Sequence, residues 1–272
     1  MELTVKEKHR LLERYGAWAI VTGATSGIGL EIAIQLASAG FNLIINARGA
    51  ERLLALENSL RVQYGVDVIA VAADLATAAG VEQLVRAVNG KQIGLLVASA
   101  GYGTSGLFTD SSLHAEVDML RVNCEAVLSL VHYFSMRFCN AGRGGIVLLS
   151  SIVAFQGVPY AAHYAATKAY IQSLAEGLNA ELKLRGVDVL AACPGPVRSG
   201  FGRRANMQMN MSLTPSQIGI PILNALGRRS IVLPGLLSKL LTYALRTVPR
   251  SVKVKLMQGI MGGMTKHQRV KG

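Results

Sequence analysis

Seven short apolar runs alternate along this 272-residue chain with six longer segments of helical periodicity. The runs cover residues 17–22, 41–47, 66–72, 93–98, 145–150, 187–192 and 230–233, and the helical segments cover 27–39, 50–64, 78–89, 111–140, 161–185 and 214–227. Several runs lack polar alternation, which is typical of strands covered on both faces. Because βα crossovers are right-handed, the pattern predicts an α/β fold: a single doubly wound parallel sheet of about seven strands with helices on both faces.

The chain is predicted to form one domain over residues 1–272, with a core at 16–233 and a helical C-terminal extension at 234–272. Its length is near the limit that one core can serve, 51% of its residues are apolar, and no Pro/Ser-rich linker divides it. Three cysteines without metal-ligand spacing indicate a reduced, cytoplasmic protein and no metal site. Residues 1–15 are charged and lack a signal-peptide core, and no apolar stretch of about 18 residues predicts a spanning helix.

Positive charge is concentrated in the C-terminal third. Residues 1–188 hold 15 Lys/Arg and 16 Asp/Glu, whereas residues 189–272 hold 13 Lys/Arg and no acid, so the formal charge of +12 originates there. Segments 235–247 and 250–264 are predicted to be amphipathic helices with basic polar faces. The first carries a leucine-rich stripe made of Leu236, Leu237, Leu240, Leu241, Ala244 and Leu245.

Three roles remain open for this basic extension. The leucine stripe can pack on the body and cap a substrate pocket, which we rank first. Peripheral contact with an anionic membrane ranks second, because bases accompany the leucines along both segments. Nucleic-acid binding ranks last, and no nucleic acid is expected, because Phe201 and Tyr243 are the only aromatic residues after position 188 and offer no stacking platform.

A glycine-rich turn, Thr22-Gly23-Ala24-Thr25-Ser26-Gly27-Ile28-Gly29, follows the first predicted strand. The first glycine allows a tight turn, the second lets the backbone approach a pyrophosphate, and the third permits close packing of helix on strand, while free N–H groups at the helix start point at the phosphates. An ordinary tight βα turn is the alternative. The dinucleotide-site interpretation assigns cofactor contacts to Gly23, Thr25, Ser26, Gly27, Ile28 and Gly29.

The second predicted strand ends in Ile45-Asn46-Ala47-Arg48. An NAD site usually has an acid at this place, about 20 residues after the glycines, to bind the ribose 2′-hydroxyl. A carboxylate would repel a 2′-phosphate, whereas Arg48 can pair with it through a charge-assisted fork. The sequence therefore predicts NADP(H) as the cofactor; a solvated surface arginine is the alternative.

Ser151, Tyr164 and Lys168 form a candidate proton-transfer unit. Tyr164 lies thirteen positions after Ser151, and Lys168 follows four positions later, so Tyr164 and Lys168 share a helix face. A nearby ammonium and an oxidised nicotinamide favour the phenolate, which predicts a lowered tyrosine pKa. In reduction the tyrosine donates its proton to the carbonyl oxygen, and Ser151 hydrogen-bonds that oxygen. Taken singly, each residue also has a purely structural explanation.

The glycine turn and the proton-transfer unit together resemble the short-chain dehydrogenase/reductase family, from about residue 18 to residue 199. Two short segments near the motifs, Phe41-Asn42-Leu43-Ile44 and Gly101-Tyr102-Gly103, are similar to those of the subgroup of ketoacyl and hydroxysteroid reductases. The resemblance implies that Asn123 completes a catalytic tetrad by holding a water that links Lys168 to solvent. It also implies that Lys168 binds the nicotinamide ribose.

The same resemblance implies further cofactor contacts. Residues after the third strand would bracket the adenine, and residues after the sixth strand would touch the nicotinamide. The Ser99-Ala100-Gly101 segment stands where the family has Asn-Ala-Gly. These residues are Asp74, Leu75, Ser99, Ala100, Gly101, Pro194, Gly195, Val197 and Ser199.

Residues 198–215 are expected to form the substrate lid. The segment holds Phe201, Met207, Met209 and Met211 together with Arg203 and Arg204. Methionines adapt to irregular apolar surfaces and arginines can meet an anionic head group, so a lipid-like ketone or acyl thioester fits both. A loop whose methionines merely pack locally is the alternative.

These observations predict an NADPH-dependent reductase of a small-molecule carbonyl, acting reversibly as an alcohol dehydrogenase. Two alternatives are an NADP(H)-binding redox sensor without turnover and NAD-linked oxidation of a steroid-like alcohol. The long helices at 111–140 and 161–185 have apolar faces that family members use for assembly, so a homodimer or homotetramer is expected.

Overall fold

The computed structural model describes residues 2–209 and 212–269, except for the side chains of Leu237 and Arg269. Its centre is a seven-stranded sheet, parallel throughout, with the strand order β3-β2-β1-β4-β5-β6-β7. The strands are β1 Trp18–Thr22, β2 Asn42–Ala47, β3 Val68–Ala72, β4 Ile93–Ala98, β5 Gly144–Leu149, β6 Val187–Ala192 and β7 Ile231–Val232. The predicted fold class is confirmed.

Helices cover both faces of the sheet. They are α1 Val5–Tyr15, α2 Gly27–Ser38, α3 Ala50–Tyr64, α4 Ala78–Arg86, α5 Leu113–Leu120, α6 Ala126–Ala141, α7 Ala162–Leu182, α8 Phe201–Arg204, α9 Pro215–Ala225, α10 Leu236–Ala244, α11 Arg250–Met264 and α12 Lys266–Arg269. The central strands β4 and β5 are buried along their whole length, which explains why these runs lack polar alternation.

The chain reverses its direction of strand addition between β1 and β4. The first three strands extend the sheet one way, and β4 then pairs on the other side of β1. At such a switch point the loops after the two strands separate and leave a crevice at their carboxyl ends. The fold therefore places a site after Thr22 and Ala98.

Helix α1 was not predicted from the sequence. Thr4 caps it by accepting a hydrogen bond from the Glu7 N–H, and Leu11 and Tyr15 are buried against the sheet. The Tyr15 hydroxyl and the Arg14 guanidinium both donate to Asp188 on β6. The capping signal Thr-x-x-Glu and the spacing of the two buried residues were present in the sequence.

The helical segment predicted over 111–140 is present, but it contains a π turn that the sequence did not indicate. Helix α5 ends at Leu120, a π-helical turn covers Arg121–Glu125, and α6 continues from Ala126. Asn123 lies in this turn, where its side chain hydrogen-bonds both the N–H and the C=O of Tyr102. π turns insert one extra residue into a helix and often occur at functional sites.

The two predicted C-terminal helices are present as α10 and α11. The leucine stripe predicted for α10 does not pack on the body as a unit, because Leu236 and Leu240 are 83% and 64% exposed. The inward side carries the buried Ser238, Thr242 and two members of the stripe, Leu241 and Leu245. None of the helices within the described ranges is long and apolar enough to cross a membrane.

Candidate active site

A cleft of about 1540 Å³ opens at the carboxyl ends of the strands. It brings together nearly all of the residues predicted from the sequence. Those that line it are Gly23, Thr25, Ser26, Gly27, Ile28, Arg48, Asp74, Leu75, Ser99, Ala100, Gly101, Ser151, Tyr164, Lys168, Pro194, Gly195, Val197 and Ser199. Gly29 and Asn123 do not line it but contact residues that do, namely Gly23 and Tyr102.

The glycine turn has the geometry of an anion cradle. Gly23 and Gly27 have φ values of +66° and +58°, a region that favours glycine. A Cβ at Gly29 would collide with the Gly23 carbonyl oxygen, so only glycine lets α2 begin so close to the turn. Ser26 at the N-cap of α2 makes no side-chain capping bond with a described residue, which leaves the first N–H groups of the helix for an anion. This cradle fits the pyrophosphate of a dinucleotide.

Thr22 joins the two sides of the switch point, a role that the sequence argument missed. Its hydroxyl accepts hydrogen bonds from the N–H groups of Ser99 and Ala100, each at 3.0 Å. The loop after β4 is thereby fixed against the end of β1. A buried hydroxyl at the last position of β1 is the signal that could have indicated this contact.

Arg48 and Arg204 lie close enough in the cleft to influence each other. The Arg204 guanidinium carbon lies 3.6 Å from the centroid of the Tyr102 ring. Burial lowers the pKa of Arg204, and the neighbouring charge of Arg48 lowers it further, whereas Asp74 raises it. Two guanidinium groups that repel each other beside an aromatic ring are suited to sharing an anion. The sequence predicts for Arg204 only a contact with the head group of a substrate.

Tyr164 lies on α7 beside Ser151. Burial raises the pKa of Tyr164 to about 12, and the hydrogen bond with the Ser151 side chain opposes that shift. The lowered pKa of Tyr164 predicted from the sequence is therefore wrong for the protein by itself, because the effect of burial exceeds that of the hydrogen bond with Ser151. The phenol is consequently protonated at neutral pH, which is the form that donates a proton.

Lys168 is buried one helical turn after Tyr164. Its Nζ donates a hydrogen bond of 2.7 Å to the Leu149 carbonyl and lies 5.8 Å from the centroid of the Tyr164 ring. Burial lowers the pKa of Lys168 to about 8, with the thiols of Cys124 and Cys193 opposing the shift. The ammonium is thus held in a low-dielectric site beside the phenol.

Asn123 and Ser150 are structural in their direct contacts. The Asn123 amide donates to the Tyr102 carbonyl at 2.8 Å and to the Thr167 hydroxyl at 3.1 Å. Its Oδ1 accepts from the Tyr102 N–H, so the side chain fixes the loop after β4. The Ser150 hydroxyl donates to the Lys168 carbonyl at 3.0 Å and so supports the backbone of α7.

The far end of the cleft is apolar. A short parallel bridge joins Val197, directly before the predicted lid, to Leu213 near the end of the lid. Within the lid, Phe201 of α8 packs on the Tyr164 ring. Met211, which we predicted to belong to the lid, lies outside the described residues. The wall is rich in methionine and includes Met207, Met209, Met257, Met261 and Met264, the last three contributed by α11.

A family model described as short chain dehydrogenase matches residues 17–210. The chain belongs to the short-chain dehydrogenase/reductase family. The predicted family is thus confirmed, and the chain is a member of a family of oxidoreductases that bind a nicotinamide dinucleotide.

Named relatives agree with the predicted subgroup. A 7beta-hydroxysteroid dehydrogenase of Collinsella aerofaciens is 27% identical over 232 residues, which are 83% of this chain and 88% of that protein. A very-long-chain 3-oxoacyl-CoA reductase-like protein of Arabidopsis thaliana is 32% identical over 188 residues, 67% of this chain and 60% of that protein. A solved short-chain dehydrogenase from Sphingobium yanoikuyae in complex with NADPH has a TM-score of 0.79 and 30% identity, over 89% of this chain and 95% of that one.

Proposed function

We propose that this protein is an NADPH-dependent reductase of a hydrophobic or lipid-like ketone or aldehyde, and that it acts reversibly as an alcohol dehydrogenase. The observation that carries the proposal is the surroundings of Tyr164, which lines the same cleft as the glycine cradle and packs in one cluster with Met257 and Met261. A substrate carbonyl next to Tyr164 can receive a proton from the phenol and a hydride from a nicotinamide bound in the same cleft.

Tyr164 is the proposed general acid. Its hydroxyl is protonated at neutral pH and is oriented by Ser151, which can also hydrogen-bond the substrate oxygen and stabilise its developing charge. When bound, the nicotinamide supplies the hydride. After proton donation, the phenolate is stabilised by the Lys168 ammonium beside it.

Asn123 and Lys168 are proposed to replace the lost proton. Asn123 is buried, and its Oδ1 lies on the same side of Gly101 as the Lys168 Nζ. The side chain thereby holds the loop after β4 next to the ammonium, where a water could connect Lys168 with solvent. Lys168 is also the proposed ligand of the nicotinamide ribose hydroxyls.

NADP(H) is preferred over NAD(H) in this proposal. Arg48 and Arg204 line the cleft, and neither belongs to an ion pair with a described residue. A 2′-phosphate between the two guanidinium groups would relieve their repulsion and accept charge-assisted hydrogen bonds.

The proposed substrate is apolar and larger than a simple ketone. Flexible methionine side chains from the lid and from α11 line the cleft near Tyr164, and such walls accommodate irregular apolar molecules. The relatives named for hydroxysteroid and very-long-chain 3-oxoacyl-CoA chemistry support this class of substrate.

The test is NADPH oxidation with a panel of carbonyl compounds graded by chain length and head-group charge. We expect turnover to rise with apolar length and to be lost, by at least about a hundredfold, in Tyr164→Phe, because the phenol proton is essential to reduction. NADH serves as the comparison cofactor, and Tyr133→Phe, a tyrosine outside the cleft, serves as the matched control.

Two outcomes would favour the alternatives. A preference for NADH with a steroid alcohol would indicate NAD-linked oxidation and contradict the role of Arg48. Tight NADPH binding without turnover of any carbonyl would indicate a redox sensor.

Assembly into a homodimer or homotetramer is also proposed. Exposed apolar residues follow the outer surface of α5, α6 and α7, namely Leu120, Leu128, Met136 and Tyr170. Sedimentation velocity on the full chain and on Leu128→Glu would test this arrangement.

A further inference from the structure

We propose that α10 and α11 bind the protein peripherally to an anionic phospholipid bilayer. This inference goes beyond the proposed reaction and does not depend on it. The surface concerned, here called the basic apolar face, consists of the exposed apolar residues Leu236, Leu240, Tyr243, Val252, Leu256 and Ile260 and the exposed bases Lys239, Arg246, Arg250 and Lys255.

Each of the two helices has one inward and one outward side. On α10, Ser238 is buried and Thr242 and Leu245 line the cleft, whereas Leu236, Leu240 and Tyr243 recur on the opposite side at intervals of four and three residues. The apolar residues on the outward side are therefore not required for packing the helix onto the body. Leu236 is 83% exposed and Tyr243 is 62% exposed.

Helix α11 repeats this arrangement. Met257 and Met261 are buried against the cleft, whereas Val252 and Leu256, four residues apart, are 43% and 47% exposed on the other side. Large apolar residues grouped on an exposed surface and bordered by polar residues are typical of a binding surface.

The charge of this face selects an anionic partner. The four bases form no ion pair with a described residue, and residues 189–272 contain no Asp or Glu that could neutralise them locally. A second copy of the chain fits poorly, because a two-fold contact would oppose the same bases to one another. Apolar side chains flanked by Lys and Arg match the acyl boundary and anionic headgroups of a bilayer.

The rim of the cleft lies on the same face. Leu241 and Ile260 line the cleft and are nevertheless 39% and 46% exposed. A bilayer that touches the outward sides of α10 and α11 would therefore contact the cleft entrance, through which a lipid-like molecule could pass directly from the membrane.

The test is co-sedimentation of the full chain with sucrose-loaded vesicles of phosphatidylcholine, alone or with about one-third phosphatidylserine. We expect binding to the anionic vesicles only, weakened by salt. The double variant Lys239→Glu/Lys255→Glu should lower the partition coefficient at least about 25-fold, since each base near the surface contributes about fivefold. Leu236→Ser/Leu240→Ser should lower it as well, with a loss that salt does not mimic.

The controls carry changes of the same kind directly before β6, at the amino ends of the strands. Lys183→Glu/Arg185→Glu changes the charge equally at exposed positions, and Leu184→Ser removes a leucine that is 94% exposed. Both should bind like the unaltered chain, and circular dichroism should show that all variants are folded.

Four results would overturn the proposal. The first is equal binding to both vesicle types, and the second is equal loss in the variants and their controls. The third is a lower mass for Leu236→Ser/Leu240→Ser than for the unaltered chain in sedimentation velocity without lipid, which would assign the face to a second copy. The fourth is a combined result, in which polyglutamate displaces the vesicles and the leucine variant still binds them normally. This result would assign the face to an acidic protein.

Discussion

The ring of Phe201 in the lid packs on the ring of Tyr164, with centroids 5.3 Å apart and planes inclined by 50°. Gly103 lies beside both rings, so that a Cβ there would come within 2.8 Å of Phe201 and 3.1 Å of Tyr164. The proposed general acid is therefore held between the lid and the loop after β4. Because Phe201 of the lid covers one face of the Tyr164 ring, the lid contributes to the environment of the proton donor as well as to the substrate wall.

Replacement of Phe201 by alanine should affect large apolar substrates most. We expect kcat/KM for a long-chain ketone to fall about tenfold, since an apolar ring that lines the wall is lost, while a small ketone changes less. Steady-state kinetics with NADPH measure the difference. Phe108→Ala, at a residue that is 63% exposed and outside the cleft, is the matched control and should leave both substrates unaffected.

The sequence predicted the sheet and many of the residues that line the cleft, because these depend on local rules. A buried parallel strand has a continuous apolar run, and a glycine turn between strand and helix has a fixed geometry. Ser151 and Tyr164 come from different elements, and their meeting was available only through the family spacing.

Other features depend on contacts between distant residues and could not be predicted in this way. Asn123 lies in the π turn and its side chain bonds to Tyr102, 21 residues away, and no periodicity indicates such a bond. The place of Arg204 next to Arg48 depends on how the lid folds back. The raised pKa of Tyr164 follows from burial, which a sequence does not quantify.

Arg48 and Arg204 should set the cofactor preference together. For Arg48→Asp we expect kcat/KM with NADPH to fall about 10- to 100-fold, because a charge-assisted contact is replaced by repulsion, while the value with NADH changes little. Arg204→Ala should weaken NADPH in the same direction but less, since Arg48 remains.

The measurement is kcat/KM with both cofactors for each variant. Arg52→Ala, which removes a third arginine of the cleft, is the control and should not change the ratio. An unchanged NADPH/NADH ratio in Arg48→Asp would show that this arginine is merely solvated.

Asp188 should anchor α1 to β6. Its carboxylate accepts two hydrogen bonds from Arg14, at 2.6 and 3.0 Å, and one from the Tyr15 hydroxyl at 2.8 Å. Asp188→Ala leaves the buried tyrosine hydroxyl without this acceptor, so we expect the free energy of unfolding to fall by about 2–3 kcal/mol. Urea unfolding measures the change, with the exposed Asp67→Ala as the control.

A double-mutant cycle with Tyr15→Phe isolates this contact. Once the hydroxyl is absent, Asp188→Ala should cost less, so the two losses should add up to more than the loss in the double variant. Strict additivity would contradict the proposed bond.

Lys168→Met should make the protein more stable while it abolishes turnover. Burial lowers the pKa of this lysine from its ordinary 10.5 to about 8, so the folded state binds the proton less well than the unfolded chain. At pH 7 the ammonium is charged in both states and its desolvation opposes folding. Replacing it with an apolar side chain of similar length should therefore raise the free energy of unfolding by about 1–3 kcal/mol.

The pH dependence identifies the cause of this gain. Between about pH 8 and 10.5 the unfolded chain still binds the proton and the folded protein has released it, so the stability of the unaltered protein rises with pH relative to Lys168→Met. We therefore expect the difference in stability to be largest below pH 8 and to shrink as the pH approaches 10.5. Thermal unfolding of both proteins across this range measures it. A difference that stays constant with pH would show that packing, and not the buried charge, separates the two.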